Sequence, residues 1–154
     1  MGTSAVVLSK PLATEPLEIF GDQLVLKLSG ADTEGNFALL ECVTQPRGGP
    51  PLHRHLREDE CFYVLEGDFE FEVDGQRSPA TKGCPVYVPR GTAHAFRNVG
   101  NTVGRILVMI QPAGLDECFT EISEATKVQQ LNMSVLIPIF RKYGLELLGP
   151  PLAE

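Results

Sequence analysis

Between Leu24 and Ile110 the chain is built from short apolar runs with a period of two. FEFEV at 69–73 is the clearest. Side chains alternate across a strand, so Phe69, Phe71 and Val73 share one face and Glu70 and Glu72 the other. Leu24–Leu28, Phe37–Thr44, Cys61–Leu65, Val86–Val88, Ala93–Arg97 and Arg105–Ile110 read as further strands. Asp74-Gly75 supplies a two-residue hairpin turn. Gly and Pro fall between these runs as punctuation. The pattern predicts an all-β sandwich or closed, barrel-like roll.

After Pro112 the period changes. Leu115, Cys118, Phe119 and Ile122 recur at helical spacing, which predicts an amphipathic helix over Leu115–Lys127. A second helix is expected over Ser134–Tyr143, stopped by Gly144. Pro138 lies inside that span, so the helix should begin near Leu136 or kink. The tail LLGPPLAE reads as extended. The expected layout is an irregular arm over residues 1–16, a β-barrel over 17–112, and a helical extension over 113–154 packed on the barrel.

Length and composition narrow the class. A chain of 154 residues suits one domain, and 43% apolar with 21% charged residues is an ordinary globular balance. A net charge of −7 argues against binding a nucleic-acid backbone. The apolar runs are too short to span a membrane, and the first residues lack the charged n-region of a signal peptide. The four cysteines show no C-x-x-C spacing. They read as reduced thiols of a cytoplasmic protein.

The histidines change the picture most. There are three, all within two short segments: His53 and His55 in PPLHRHLREDE, and His94 in PRGTAHAFRN. His-x-His is the spacing with which a strand aims two imidazoles at one face. Glu60 lies five residues past His55, the wrong parity for one straight strand, so LRED must bend or bulge if Glu60 is to join them. His94 follows a turn set by Pro89 and Gly91. Three imidazoles and a carboxylate form a complete ligand set for a divalent transition metal. Glu58 and Asp59 adjoin Glu60. They read as a solvated acidic turn, though Glu58 is the alternative carboxylate. Cys61 should point away from the set. Phe62, Tyr63, Tyr87, Phe96 and Met109 could line a pocket but fit core packing better. Arg105 reads as a surface residue before a substrate anchor, and Asn98 as a strand-end residue.

These two segments resemble the paired motifs of the cupins. Gly83, Pro89, Gly91, His94 and Asn98 occupy every fixed position of the second motif. His53, His55, Glu60 and Gly67 match the first, and the six-residue spacing to Gly67 favours Glu60 over Glu58. One position departs: the family's leading glycine stands six residues before the first histidine, where this chain has Arg47. The ending KYGLELLGPPL is similar to that of small, quercetin dioxygenase-like cupins. The resemblance implies a double-stranded β-helix, or jelly roll, to which the helical spacing after Pro112 adds one or two C-terminal helices. It also implies His53, His55, Glu60 and His94 as ligands inside the barrel, and a homodimer.

Such a site suits one Fe, Mn, Ni, Cu or Zn ion per chain, and the sequence does not choose among them. The leading reading is a metal-dependent, dioxygenase-type oxidoreductase. It would act on a small oxygenated compound, aromatic or otherwise apolar, with Glu60 doubling as a base where its hold on the metal is weak. The alternatives are a non-redox isomerase or lyase, and a module that binds metal or ligand without turnover.

Overall fold

The computed structural model describes residue 6 and residues 15–154. The expected N-terminal arm, residues 1–16, falls almost wholly outside them. Among the described residues there are eleven strands and two helices. The strands are β1 (Leu17–Ile19), β2 (Asp22–Leu28), β3 (Ala38–Thr44), β4 (Pro51–His55), β5 (Asp59–Glu66), β6 (Asp68–Val73), β7 (Gln76–Thr81), β8 (Pro85–Val88), β9 (His94–Asn98), β10 (Gly104–Gln111) and β11 (Leu145–Pro151). The helices are α1 (Leu115–Thr126) and α2 (Met133–Lys142).

Two antiparallel sheets face each other as a jelly roll. One has the order β1-β2-β3-β10-β5-β8, the other β11-β4-β9-β6-β7. Alternation decides what each sheet turns inward. In β3, Ala38, Leu40, Cys42 and Thr44 are buried, and in β10 so are Gly104, Ile106, Val108 and Ile110. Phe69 and Phe71 are buried from the opposing sheet, as FEFEV predicts. Phe62, Phe71 and Phe96 meet across the interior with ring centroids 5.3 to 6.1 Å apart. Each such buried phenylalanine contributes about 1.5–3 kcal/mol of hydrophobic stabilisation.

The Asp74-Gly75 hairpin forms as expected, both residues having positive φ, and joins β6 to β7. The sequence gives little sign of β7. It is an edge strand, exposed at every position but Ala80, so no apolar alternation marks it. Its Pro79 is tolerated because an edge strand needs no donor on its open side.

The second helix departs from expectation. It starts at Met133, three residues before Leu136, because the Asn132 side chain caps it by accepting from the Val135 N–H at 3.2 Å. Pro138 therefore sits inside the helix. It cannot donate to the Ser134 carbonyl, and packing of Leu136 and Phe140 offsets that loss. The tail is extended, and it does more than trail away. Residues 145–151, grouped in the sequence with the helical extension, pair with β4 through Leu145–His55 and Leu147–His53. No helix among the described residues is long and apolar enough to cross a membrane.

Candidate metal centre

Strand β4 carries His53 and His55, and β9 lies beside it with His94 directly across from His53. The His53 and His94 ring centroids are 4.3 Å apart, and His55 lies 5.0 and 5.5 Å from them. Glu60 reaches the same point from the other sheet. Leu56 and Arg57 bend the chain out of β4, and β5 begins at Asp59. The parity problem is thus solved by a bend between sheets, with no bulge in one strand. On β5, Glu60, Phe62 and Val64 turn inward, while Cys61 and Tyr63 turn out.

The four side chains place one ligand atom each within 4.8 Å of one another, and the group could hold a metal ion. Its chemistry fits one. Pro51 O lies 2.7 Å from His53 Nδ1, and Thr92 O lies 2.9 Å from His94 Nδ1. A carbonyl only accepts, so each Nδ1 carries a proton and leaves Nε2 as the ring's ligand atom. Glu60 Oε2 is 2.7 Å from His94 Nε2 and 3.1 Å from His55 Nε2. Yet none of these three buried atoms meets a partner in hydrogen-bond geometry among the described residues. Buried polar atoms without partners are costly, and a cation at their convergence would satisfy all of them.

The electrostatics agree. Burial pushes His53 down to about 3, helped by the neighbouring His94 and His55, so it is a neutral donor across the ordinary pH range. Burial would lower His55 as well, but the Glu60 charge outweighs it and raises that ring. Burial would raise Glu60, but His55 and His94 together hold it well below the usual carboxylate range. Glu60 is therefore an anion, 5% exposed, among imidazoles.

Glu58 is buried rather than part of a solvated turn, yet it is outside the cluster. Asp59 faces solvent and pairs with Arg90 at 3.1 Å. Phe62 and Phe96 line a cavity beside the histidines. Tyr63, Tyr87 and Met109 line neither pocket nor core: they are exposed on the outer face, because each strand presents them with the opposite parity. Arg105 is a surface residue paired with Glu41 at 2.7 Å. Asn98 is fully buried and ties the Thr44 and Thr102 carbonyls together.

The cavity measures about 90 Å³ and is almost wholly apolar. His53, His55 and Glu60 form one part of its wall. Leu115 and Phe119 of α1 and Phe140 of α2 border it too. Phe140 meets Phe20, from the β1–β2 turn, at a centroid distance of 6.1 Å. Sequence inspection missed Asp22, which also lines the cavity. The available signal was its parity with Leu24 on an apolar strand face.

A jelly roll with a His/Glu set on its inner face defines a class, and comparison with known proteins agrees. Residues 40–110 match the family model described as Cupin domain, and this match, with the relatives below, supports a small protein of the cupin superfamily. An oxidoreductase of Pestalotiopsis fici is 49% identical over 49 residues, 31% of this chain and 24% of that protein. Quercetin 2,3-dioxygenase of Bacillus subtilis is 29% identical over 80 residues, 51% of this chain and 24% of that enzyme. The crystal structure of a predicted oxalate decarboxylase from Thermotoga maritima aligns with TM-score 0.57 and 25% identity, over 59% of this chain and 80% of that one. The matched segments span only 24% to 60% of the curated relatives' own lengths.

Proposed function

We propose that His53, His55, Glu60 and His94 hold one divalent transition metal, and that the protein is a dioxygenase-type oxidoreductase for a compact oxygenated molecule. The observation that carries this reading is the convergence of unpartnered buried Nε2 and Oε2 atoms on the wall of an apolar cavity. The names of the two curated relatives, an oxidoreductase and a dioxygenase, support the reaction class. A metal ion bound there would supply Lewis acidity and, if redox-active, a route for electrons between substrate and O₂. The histidines supply neutral nitrogen donors. Glu60, an ionised carboxylate, would double as a base for a substrate proton where its hold on the metal is weak. The apolar walls exclude water, which strengthens every charge interaction at the centre.

Cavity size narrows the substrate. An engineered apolar cavity of about 150 Å³ holds benzene. At about 90 Å³ this one suits a short diketone, a hydroxy acid or, with slight widening, a single ring. A flavonol would need the Phe20–Phe140 contact to open. The net charge of −7 supports a small-molecule partner over a nucleic acid. Four free thiols support the cytoplasm as the location. We take the protein as a homodimer joined through the outer face. There Met109 and Tyr87 flank Cys61 across neighbouring strands as an exposed apolar stripe, a surface of the kind that marks association.

Elemental analysis of protein prepared without a nickel column should find close to one transition metal per chain, and His94→Ala should lose most of it. Unchanged metal content in that variant would remove the ligation. An oxygen-electrode screen of the Fe, Mn, Ni and Cu forms with catechol and short diketones tests the reaction. No O₂ uptake in any combination would leave a metal-binding cupin of the isomerase, lyase or non-catalytic kind. Light scattering should return twice the chain mass.

A further inference from the structure

We infer that Asp22 is a second polar anchor of the metal cavity, so that the ligand is a compact, mostly apolar molecule with an oxygen function for the metal centre and a hydroxyl group for Asp22. The inference rests on the metal-centre reading above and adds the far end of the ligand.

The placement follows from local structure. Phe20 and Gly21 both have positive φ and form the tight turn between β1 and β2, with Ile19 and Asp22 as the closing pair. Asp22 then shares an inward face with Leu24 and stands opposite Thr44 on β3. Cys42, two residues along β3, pairs with Leu24. Asp22, Cys42 and Glu60 all line the one cavity. The charges of Asp22, Glu60 and Glu41 all act on the buried Cys42 thiol, so both cavity carboxylates lie near it.

Asp22 is 4% exposed, and its Oδ1 has no hydrogen-bond partner among the described residues. Thr44 Oγ1, beside it, has none either. A buried aspartate kept for the fold makes its bonds within the chain. Asp116 does so, accepting from Gly30 N at 2.8 Å and from Gly114 N at 3.0 Å. Asp22 Oδ1 has no such bond among the described residues and only the Thr44 hydroxyl near it, in a cavity that is largely apolar away from His53, His55 and Glu60. Burial raises its carboxyl to about 6, against the pull of the nearby Thr44 hydroxyl. Such a group accepts from a ligand hydroxyl when ionised and donates to it when protonated, and the hydroxyl can do either.

Matched hydroxamates test this, since the hydroxamate head binds metal and the chain length can be varied. Zinc-loaded protein is titrated by calorimetry with straight-chain hydroxamates of three to five carbons, each with and without a terminal hydroxyl. At one chain length the hydroxyl should tighten binding at least tenfold. Asp22→Leu should abolish that gain, and the isosteric Asp22→Asn should reduce it, with zinc content unchanged in both. The inference is overturned if the hydroxyl never helps in the wild type, or if the gain survives both substitutions. Zinc content separates the two failures. Full zinc with no hydroxyl preference refutes the Asp22 anchor alone, whereas failure of the wild type to take up zinc refutes the metal centre and the anchor with it.

Discussion

At the scale of single residues, two positions hold strain that their neighbours explain. Arg47 stands where cupins place a glycine, and it adopts φ 68°, a left-handed conformation that costs a residue with a Cβ about 1–2 kcal/mol. Its backbone N–H still donates to Asn98 O at 2.8 Å, which fixes the loop beside β9, and its side chain is exposed. Arg47→Gly should therefore raise stability by about 0.5–1 kcal/mol, after the entropy a glycine costs in the unfolded chain. Denaturant melts should show a higher midpoint with an unchanged slope. Asp22 stores its strain as charge. Its carboxyl ionises at about 6 when folded, against 3.8 ordinarily. Below the unfolded value both states are protonated and nothing is lost. As pH rises from there to about 6 the unfolded chain ionises first, so stability falls, by at most roughly 3 kcal/mol. Asp22→Asn should melt higher than the wild type at about pH 7.5, and the difference should vanish near about pH 4. Equal melting at both would show that the carboxylate carries no such cost.

At the scale of elements, strands make the site and helices bound it. The histidine pair, the FEFEV face and the hairpin turn were legible in the sequence because each depends on spacing within one strand or turn. β11 was not. It was expected to be extended, but whether an extended tail pairs, and with which edge, depends on partners about a hundred residues away. It covers the open edge of β4, the strand that carries His53 and His55. The role of α2 was equally hidden: amphipathic spacing predicts a buried face but not that Phe140 would border the cavity. Phe140→Ala should cost about 3–5 kcal/mol as a large-to-small core change. It should also widen the cavity, so benzohydroxamate should bind the zinc-loaded variant more tightly than the zinc-loaded wild type. Weaker or equal binding would mean that Phe140 does not limit ligand size.

For the whole molecule, the candidate centre bridges the two sheets: His53, His55 and His94 come from one and Glu60 from the other. A cation bound there would tie the layers of the jelly roll together and stabilise the folded state by mass action. At free metal a hundredfold above its dissociation constant the gain is about 2.7 kcal/mol. That corresponds to a melting shift of roughly 5–10 °C for a domain of this size. Calorimetric scans should show the shift with added metal, its reversal by chelator, and a smaller shift for Glu60→Gln.

The all-β class, the inner and outer faces of the clearest strands, and the three histidines as a group could be read from the residues alone, since a period of two and a fixed motif spacing are local properties of the chain. The tertiary structure decided the rest. It settled Glu60 over Glu58 as the carboxylate beside the histidines, through a bend that carries the chain from one sheet to the other. It placed Tyr63, Tyr87 and Met109 outside and Asp22 inside. It formed one small apolar cavity from the β1–β2 turn, both sheets and two late helices. Parity constrains a residue only relative to its own strand. What that strand faces is set by packing among segments far apart in the chain.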